Sequence, residues 1–268
     1  MKGTAPNAAK VLFANGNFWG RTMAAISSSD DPSSTTGFGP FMPGFDNVPY
    51  GDVEALDEAI QKAGPENVAA FMVEPIQGEA GGEKRSDKLK ERVYGELSCH
   101  VNPVNSYVRS LRLFRSPLRS RQPNPLFASL AVVVPPEGYM SRVKEVCSKH
   151  NVLLIADEVQ TGLARTGTLL ASDHDKCKPD IVILGKALSG GAYPVSAVLA
   201  SDEVMLCVKP GEHGSTYGGN PVGCATAIAA LEVIKDEVRA DNSLCLPVRF
   251  AHGPLTLTGP LREFHEEG

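Results

Sequence analysis

No stretch of the 268 residues is apolar for long enough to cross a bilayer as a helix, so a helical membrane span is excluded. The six histidines and six cysteines fall in no spacing that would hold a metal ion. Cys147, Cys177, Cys207 and Cys224 are scattered, which predicts reduced thiols in an intracellular compartment. Met1 to Pro6 offers neither an apolar core of a signal peptide nor an arginine-rich amphipathic stretch, so no targeting segment is read there. What is present is 42% hydrophobic with a net charge of −5, enough apolar material for a large core.

Two apolar runs carry the chemistry. Asp180-Ile181-Val182-Ile183-Leu184 is β-branched, stops at Gly185 and then presents Lys186. Upstream, Val152-Leu153-Leu154-Ile155-Ala156 does the same and ends on Asp157. Continuous apolar runs of this length predict central strands buried on both faces, and open α/β sheets bind ligands just outside the carboxyl ends of such strands. A lysine and an aspartate are thereby delivered to one crevice. That pair is what pyridoxal phosphate chemistry needs: an amine to form a Schiff base with the aldehyde, and a carboxylate to keep the pyridine nitrogen protonated.

Neighbouring residues extend the pattern. Strand alternation puts Val159 on the same face as Asp157, so an apolar contact to a ring accompanies the carboxylate, and Gln160 is placed to reach a phenolic oxygen. Residues 211–221 are rich in glycine and hydroxyls just before an apolar helical run, a composition suited to a phosphate. Taken singly, each candidate has a plainer reading. Phe18 and Trp19 are also what a core displays, Arg21 what a surface ion pair displays, and Glu79 what a solvated loop displays.

Together, residues 16–29 (GNFWGRTMAAISSS), 37–52 (GFGPFMPGFDNVPYGD), 67–81 (NVAAFMVEPIQGEAG), 153–167 (LLIADEVQTGLARTG), 179–199 (PDIVILGKALSGGAYPVSAVL) and 209–221 (KPGEHGSTYGGNP) resemble the class III pyridoxal phosphate-dependent aminotransferases, and more narrowly their ornithine branch. The resemblance implies a catalytic Lys186 that attaches the cofactor and shuttles a proton, with Asp157 on the pyridine nitrogen. It implies that Phe18 and Val159 flank the ring and that Gln160 contacts its phenolic oxygen. Arg21 would bind a substrate carboxylate through its two-pronged guanidinium. Glu79 would face the substrate, and Ser215 and Thr216 would reach the phosphate of a neighbouring subunit in a homodimer. The implied reaction moves the terminal amino group of ornithine to a 2-oxo acid, in the cytoplasm or the mitochondrial matrix, with small-molecule substrates and neither nucleic acid nor membrane as partner. The alternatives are a related ω-aminotransferase acting on acetylornithine or 4-aminobutyrate, and a non-catalytic fragment.

Two segments depart from the family pattern. Residues 82–131 carry ten Lys and Arg against four Asp and Glu, +6, which leaves −11 for the rest. They show no sustained periodicity and read as sequence foreign to a compact domain, such as translated non-coding sequence, with a disordered insertion or an anionic-surface patch as the other readings. Residues 238–268 form a divergent, proline-punctuated tail. Residues 1–81 and 132–237 are therefore expected to form an incomplete large domain of the fold type I transferases. Strands at 9–14, 68–73, 152–157, 180–184 and 195–200 alternate with helices at 54–63, 138–150 and 223–236, which predicts an α/β three-layer sandwich with a mostly parallel sheet.

Overall fold

A computed structural model describes residues 4, 7–79 and 132–240, with side chains as far as residue 236 in the last stretch. The basic segment 82–131 and all but the first three residues of the tail 238–268 lie outside the described residues. Six strands form one sheet: β1 (Lys10–Ala14), β2 (Phe45–Val48), β3 (Val68–Val73), β4 (Leu153–Asp157), β5 (Ile181–Leu184) and β6 (Ala197–Ala200). Their order is β2-β1-β3-β4-β5-β6, with β1 to β5 mutually parallel and β6 antiparallel to β5. The mostly parallel α/β sheet expected from the apolar runs is thus present.

Helices α1 (Met23–Ser27) and α2 (Pro32–Thr35) are short; α3 (Val53–Ala63) and α4 (Tyr139–Lys149) are the longer pair beside the sheet. In α3 the Asp52 side chain accepts the Ala55 N–H, and Gly64 ends the helix at a φ of 82° that a side chain would resist. Val53, Leu56 and Ile60 recur at helical spacing and are buried, each withdrawing apolar surface worth about 2 kcal/mol. They meet Tyr139, Val143 and Cys147 of α4 and Leu12, Phe71, Leu154 and Ala156 of the sheet in one core.

Helix α4 begins at Gly138, which has no side chain to cap it. Asp175, from a 3-10 turn at Ala171–Asp175, supplies the carboxylate instead, accepting from the N–H groups of Gly138 (3.1 Å) and Met140 (2.9 Å). Asp180 ties the same helix to the sheet by taking Lys144 Nζ at 2.6 Å on one oxygen and the Leu154 N–H at 2.8 Å on the other. Beyond β3, Gln77 and Val133 exchange two backbone hydrogen bonds of 3.0 and 2.8 Å. The chain on either side of residues 80–131 is therefore pinned at neighbouring points.

Short α5 (Asp202–Met205) follows β6, and α6 (Pro221–Ala240) packs on a 3-10 turn at Lys186–Ser189. The second apolar cluster forms there, from Leu163, Val182, Leu184 and Leu188 with Ala227 and Ile234 of α6 against it. Among the described residues no helix is long and apolar enough to cross a membrane, and no group of His, Cys, Asp and Glu could hold a metal ion.

Candidate active site

Strand order reverses between β1, which leads outward to β2, and β3, which leads the other way to β4 and β5. At such a switch point the loops leaving the carboxyl ends diverge and open a crevice. Phe18 lies just beyond β1, Glu74 just beyond β3, Asp157 at the end of β4 and Lys186 just beyond β5. Phe18, Trp19, Glu74 and Asp157 line one small hollow. An open cleft of about 430 Å³ beside it is lined by Lys186, Val159, Gln160, Thr161, Arg165 and Thr166, with Gly78 across from them.

Asp157 is 5% exposed. Burial pushes its carboxyl up to about 6 from an ordinary 3.8, against the pull of the Val159 N–H and the Lys186 charge. That N–H lies 3.1 Å from Oδ1. Val159 reaches over Gly185: a Cβ at Gly185 would stand 3.3 Å from Val159 Cγ1, so glycine lets the two strand ends approach. Gln160 lies over Gly78 in the same way, its Oε1 2.5 Å from where a Cβ would be. Lys186 itself has a φ of 43°, in the left-handed region. For a residue with a side chain this costs about 1–2 kcal/mol and persists only where the surroundings impose it, as at functional sites.

Phe18 is held by its backbone, whose N–H donates to Glu74 Oε1 at 3.1 Å. The Arg21 guanidinium stands 5.4 Å from the centre of the Phe18 ring and donates to Ser34 Oγ at 3.1 Å. Asn17, buried, fixes the loop by donating to the carbonyls of Ala14 and Ser28. Glu79 is exposed and lines neither the hollow nor the cleft. Ser215 and Thr216 line neither the hollow nor the cleft; both are exposed, and Ser215 Oγ accepts the Gly218 N–H at 2.9 Å. Of the nine residues singled out in the sequence, Asp157 and Phe18 thus share the hollow, Lys186, Val159 and Gln160 share the cleft, Arg21 flanks Phe18, and three stand apart.

Residues 1–94 and 125–251 match the family described as aminotransferase class-III. This chain belongs to that family. It is 52% identical over 237 residues to the mitochondrial ornithine aminotransferase of Drosophila melanogaster, a match covering 88% of this chain and 43% of that protein. The mitochondrial ornithine aminotransferase of Rattus norvegicus is 51% identical over 243 residues, covering 91% of this chain and 43% of the relative. Among solved structures, the Toxoplasma gondii ornithine aminotransferase, with partial occupancy of PLP at its active site, superposes with a TM-score of 0.67 at 45% identity, over 88% of this chain and 43% of that one. This class-III chain therefore spans less than half the length of these relatives.

Two buried acids near this hollow and cleft stand out only in the structure. Glu158, 1% exposed, accepts from Thr161 Oγ1, the N–H groups of Ala171 and Ser172, and Ser172 Oγ. It locks the loop behind Asp157. Glu74 is 5% exposed, and burial, with the Asp157 charge adding to it, lifts its carboxyl from an ordinary 4.5 to about 7. Its signal was visible as an acid directly after an apolar strand, but its partner is 56 residues away.

Raised values of this kind predict a pH dependence. A carboxyl whose folded value exceeds its unfolded one contributes stability that is complete below the unfolded value and lost as pH rises through the folded value. The cofactor-free chain should therefore lose stability between the ordinary 3.8 and 4.5 and the raised values of about 6 and 7. Glu74 alone accounts for on the order of 3 kcal/mol. Asp31 and Asp57, both held low by hydrogen bonds, act below that window. Denaturant melts at stepped pH check this: Glu74→Gln should flatten the slope, and an unchanged slope would contradict the assignment.

Proposed function

We propose that the chain is the cofactor-binding part of a pyridoxal phosphate-dependent transferase that moves the terminal amino group of ornithine to a 2-oxo acid, yielding glutamate 5-semialdehyde and the amino acid. The observation that carries this is the desolvated Asp157 carboxylate at the end of β4, beside a cleft into which β5 delivers a strained lysine. A buried carboxylate is costly until a cation meets it, and a protonated ring nitrogen is such a cation. The residues present thus fit pyridoxal phosphate.

When bound, the cofactor supplies an electron-withdrawing pyridinium that stabilises charge developing on the substrate carbon. Asp157 would keep the proton on the ring nitrogen, Phe18 and Val159 would bound the ring's faces, and Gln160 would donate to its phenolic oxygen. Lys186 Nζ would hold the cofactor through its aldehyde carbon with loss of water; once the substrate amine replaces it there, the freed amine would carry the proton between the substrate carbon and the cofactor carbon, as a general base and acid in turn. Arg21 pairs with a substrate carboxylate and Glu79 lines the approach. Ser215 and Thr216, exposed and outside the lining of this chain's own cleft, suit a homodimer in which each subunit contributes hydroxyls to the other's phosphate. A mitochondrial compartment is in keeping with the animal relatives, named as mitochondrial.

Purified chain mixed with pyridoxal phosphate should develop a near-visible band that borohydride reduces. In a protein completed to the length of its relatives, ornithine should bleach that band faster than acetylornithine or 4-aminobutyrate does. Protein that stays colourless in excess cofactor would favour the non-catalytic reading, and faster bleaching by acetylornithine would move the substrate assignment to the neighbouring branch.

A further inference from the structure

We propose that Glu74 is a positioning residue of the ring site, its side chain holding the backbone of Phe18 and, through it, the aromatic wall beside Asp157. The inference rests on the functional reading above for what that wall serves, and on geometry for the contact itself. Glu74 leaves β3 at the switch point, where its Oε1 accepts the Phe18 N–H at 3.1 Å. Phe18 belongs to an irregular stretch between β1 and α1 with no strand neighbour to take that N–H, so the carboxylate is its partner.

Glu74 is in turn held from behind. Tyr50 Oη donates to the carbonyls of Glu74 (3.2 Å) and Pro75 (3.0 Å), and Gln77 Nε2 donates to the Asn15 carbonyl at 2.8 Å. The two loops that leave β1 and β3 are therefore stitched at two points, and only the Glu74 stitch ends on a residue that lines the hollow. Trp19 follows directly: its ring stacks on Phe13 at 5.5 Å and its Nε1 donates to Ser28 Oγ at 2.6 Å. A shift of the Phe18 backbone must move Trp19 against these partners.

One N–H could be satisfied by an amide as well as by an acid. A second carboxyl in the hollow of Asp157 does more: when ionised, above its raised value of about 7, it adds negative potential where a cationic ring nitrogen would be received. Glutamine separates the two effects, keeping the acceptor oxygen and losing the charge. Leucine removes both.

Trp19 is the sole tryptophan of the 268 residues and so reports on this wall without a label. Near-ultraviolet circular dichroism of the cofactor-free chain should show a changed Trp19 signature in Glu74→Leu and the wild-type signature in Glu74→Gln. Titration with pyridoxal phosphate, followed by Trp19 quenching, should show binding weakened about tenfold in Glu74→Leu, the scale of one lost charged hydrogen bond, with Glu74→Gln in between. A folded Glu74→Leu chain with the wild-type Trp19 signature would overturn the proposal. Should Glu74→Leu not fold, Glu74→Gln decides, since a disturbed Trp19 signature there contradicts the acceptor role. The dichroism needs no cofactor. A chain that responds to Glu74→Leu yet takes up no pyridoxal phosphate would support the contact and count against the functional reading.

Discussion

Lys186→Ala abolishes covalent capture of pyridoxal phosphate. Among the described residues Lys186 is the lysine that lines the cleft beside Asp157. Lys10, Lys144 and Lys149 are paired with Asp46, Asp180 and Asp57 respectively, away from it. Lys186→Arg should fail equally, because guanidinium keeps the charge but gives up no proton near neutral pH and so offers no lone pair to the aldehyde. The backbone at this position argues the same way. Alanine retains the cost of a φ of 43° without any function to justify it, so Lys186→Gly should be more stable than Lys186→Ala by about 1 kcal/mol and just as incapable of capture. Borohydride reduction followed by peptide mapping reads the result, and pyridoxyl label recovered on a different lysine would remove Lys186 from its role.

Asp157→Asn is expected to leave cofactor binding largely in place and to slow proton removal from the substrate by on the order of a thousandfold, about 4 kcal/mol, in a protein completed to the length of its relatives. Asparagine preserves shape and can still accept the Val159 N–H, but it cannot hold a proton on the ring nitrogen by charge. Stability should move the opposite way. Burial lifts the Asp157 carboxyl to about 6, so above that pH the cofactor-free wild type carries a desolvated charge that the amide lacks. The variant should then be at least as stable as wild type at neutral pH. An ordinary strand-end or capping aspartate would show the reverse pattern, a loss of about 1 kcal/mol in stability and hardly any change in rate. Single-turnover conversion with ornithine, set beside a thermal melt of the cofactor-free protein, distinguishes them, and near-normal conversion would sink the assigned role.

The elements that position this site were largely legible because their signals are local. Val68–Val73, Leu153–Asp157 and Ile181–Leu184 are short apolar runs ended by a polar or glycine residue, and α3 and α4 repeat their buried residues at helical spacing. Strand β2 leaves no such local mark: Phe45-Asp46-Asn47-Val48 is an edge strand with two exposed polar residues in four, so it has neither an apolar run nor a turn of helix to betray it. Helices α1 and α2 leave none for another reason. Each is about one turn long, held by Thr22 and Asp31 caps rather than by an apolar stripe.

The sequence by itself determined the chemical inventory: a lysine and an aspartate at the ends of two apolar strands, an aromatic and an arginine after a third, and enough matching motifs to place the chain in its family. Those properties are carried by neighbours along the chain, which is why they could be read from it. Tertiary structure alone decided how the inventory is used. The Phe18 N–H meets a carboxylate 56 residues away because β1 and β3 are adjacent in the sheet while β2 is not between them. Glu74 and Asp157 acquire raised values because burial is a sum over every segment packed around a group, and the segments that bury them come from β1, β3, β4 and the loops beyond. Neither adjacency nor desolvation is written in any window of sequence, since both exist only once distant strands have paired.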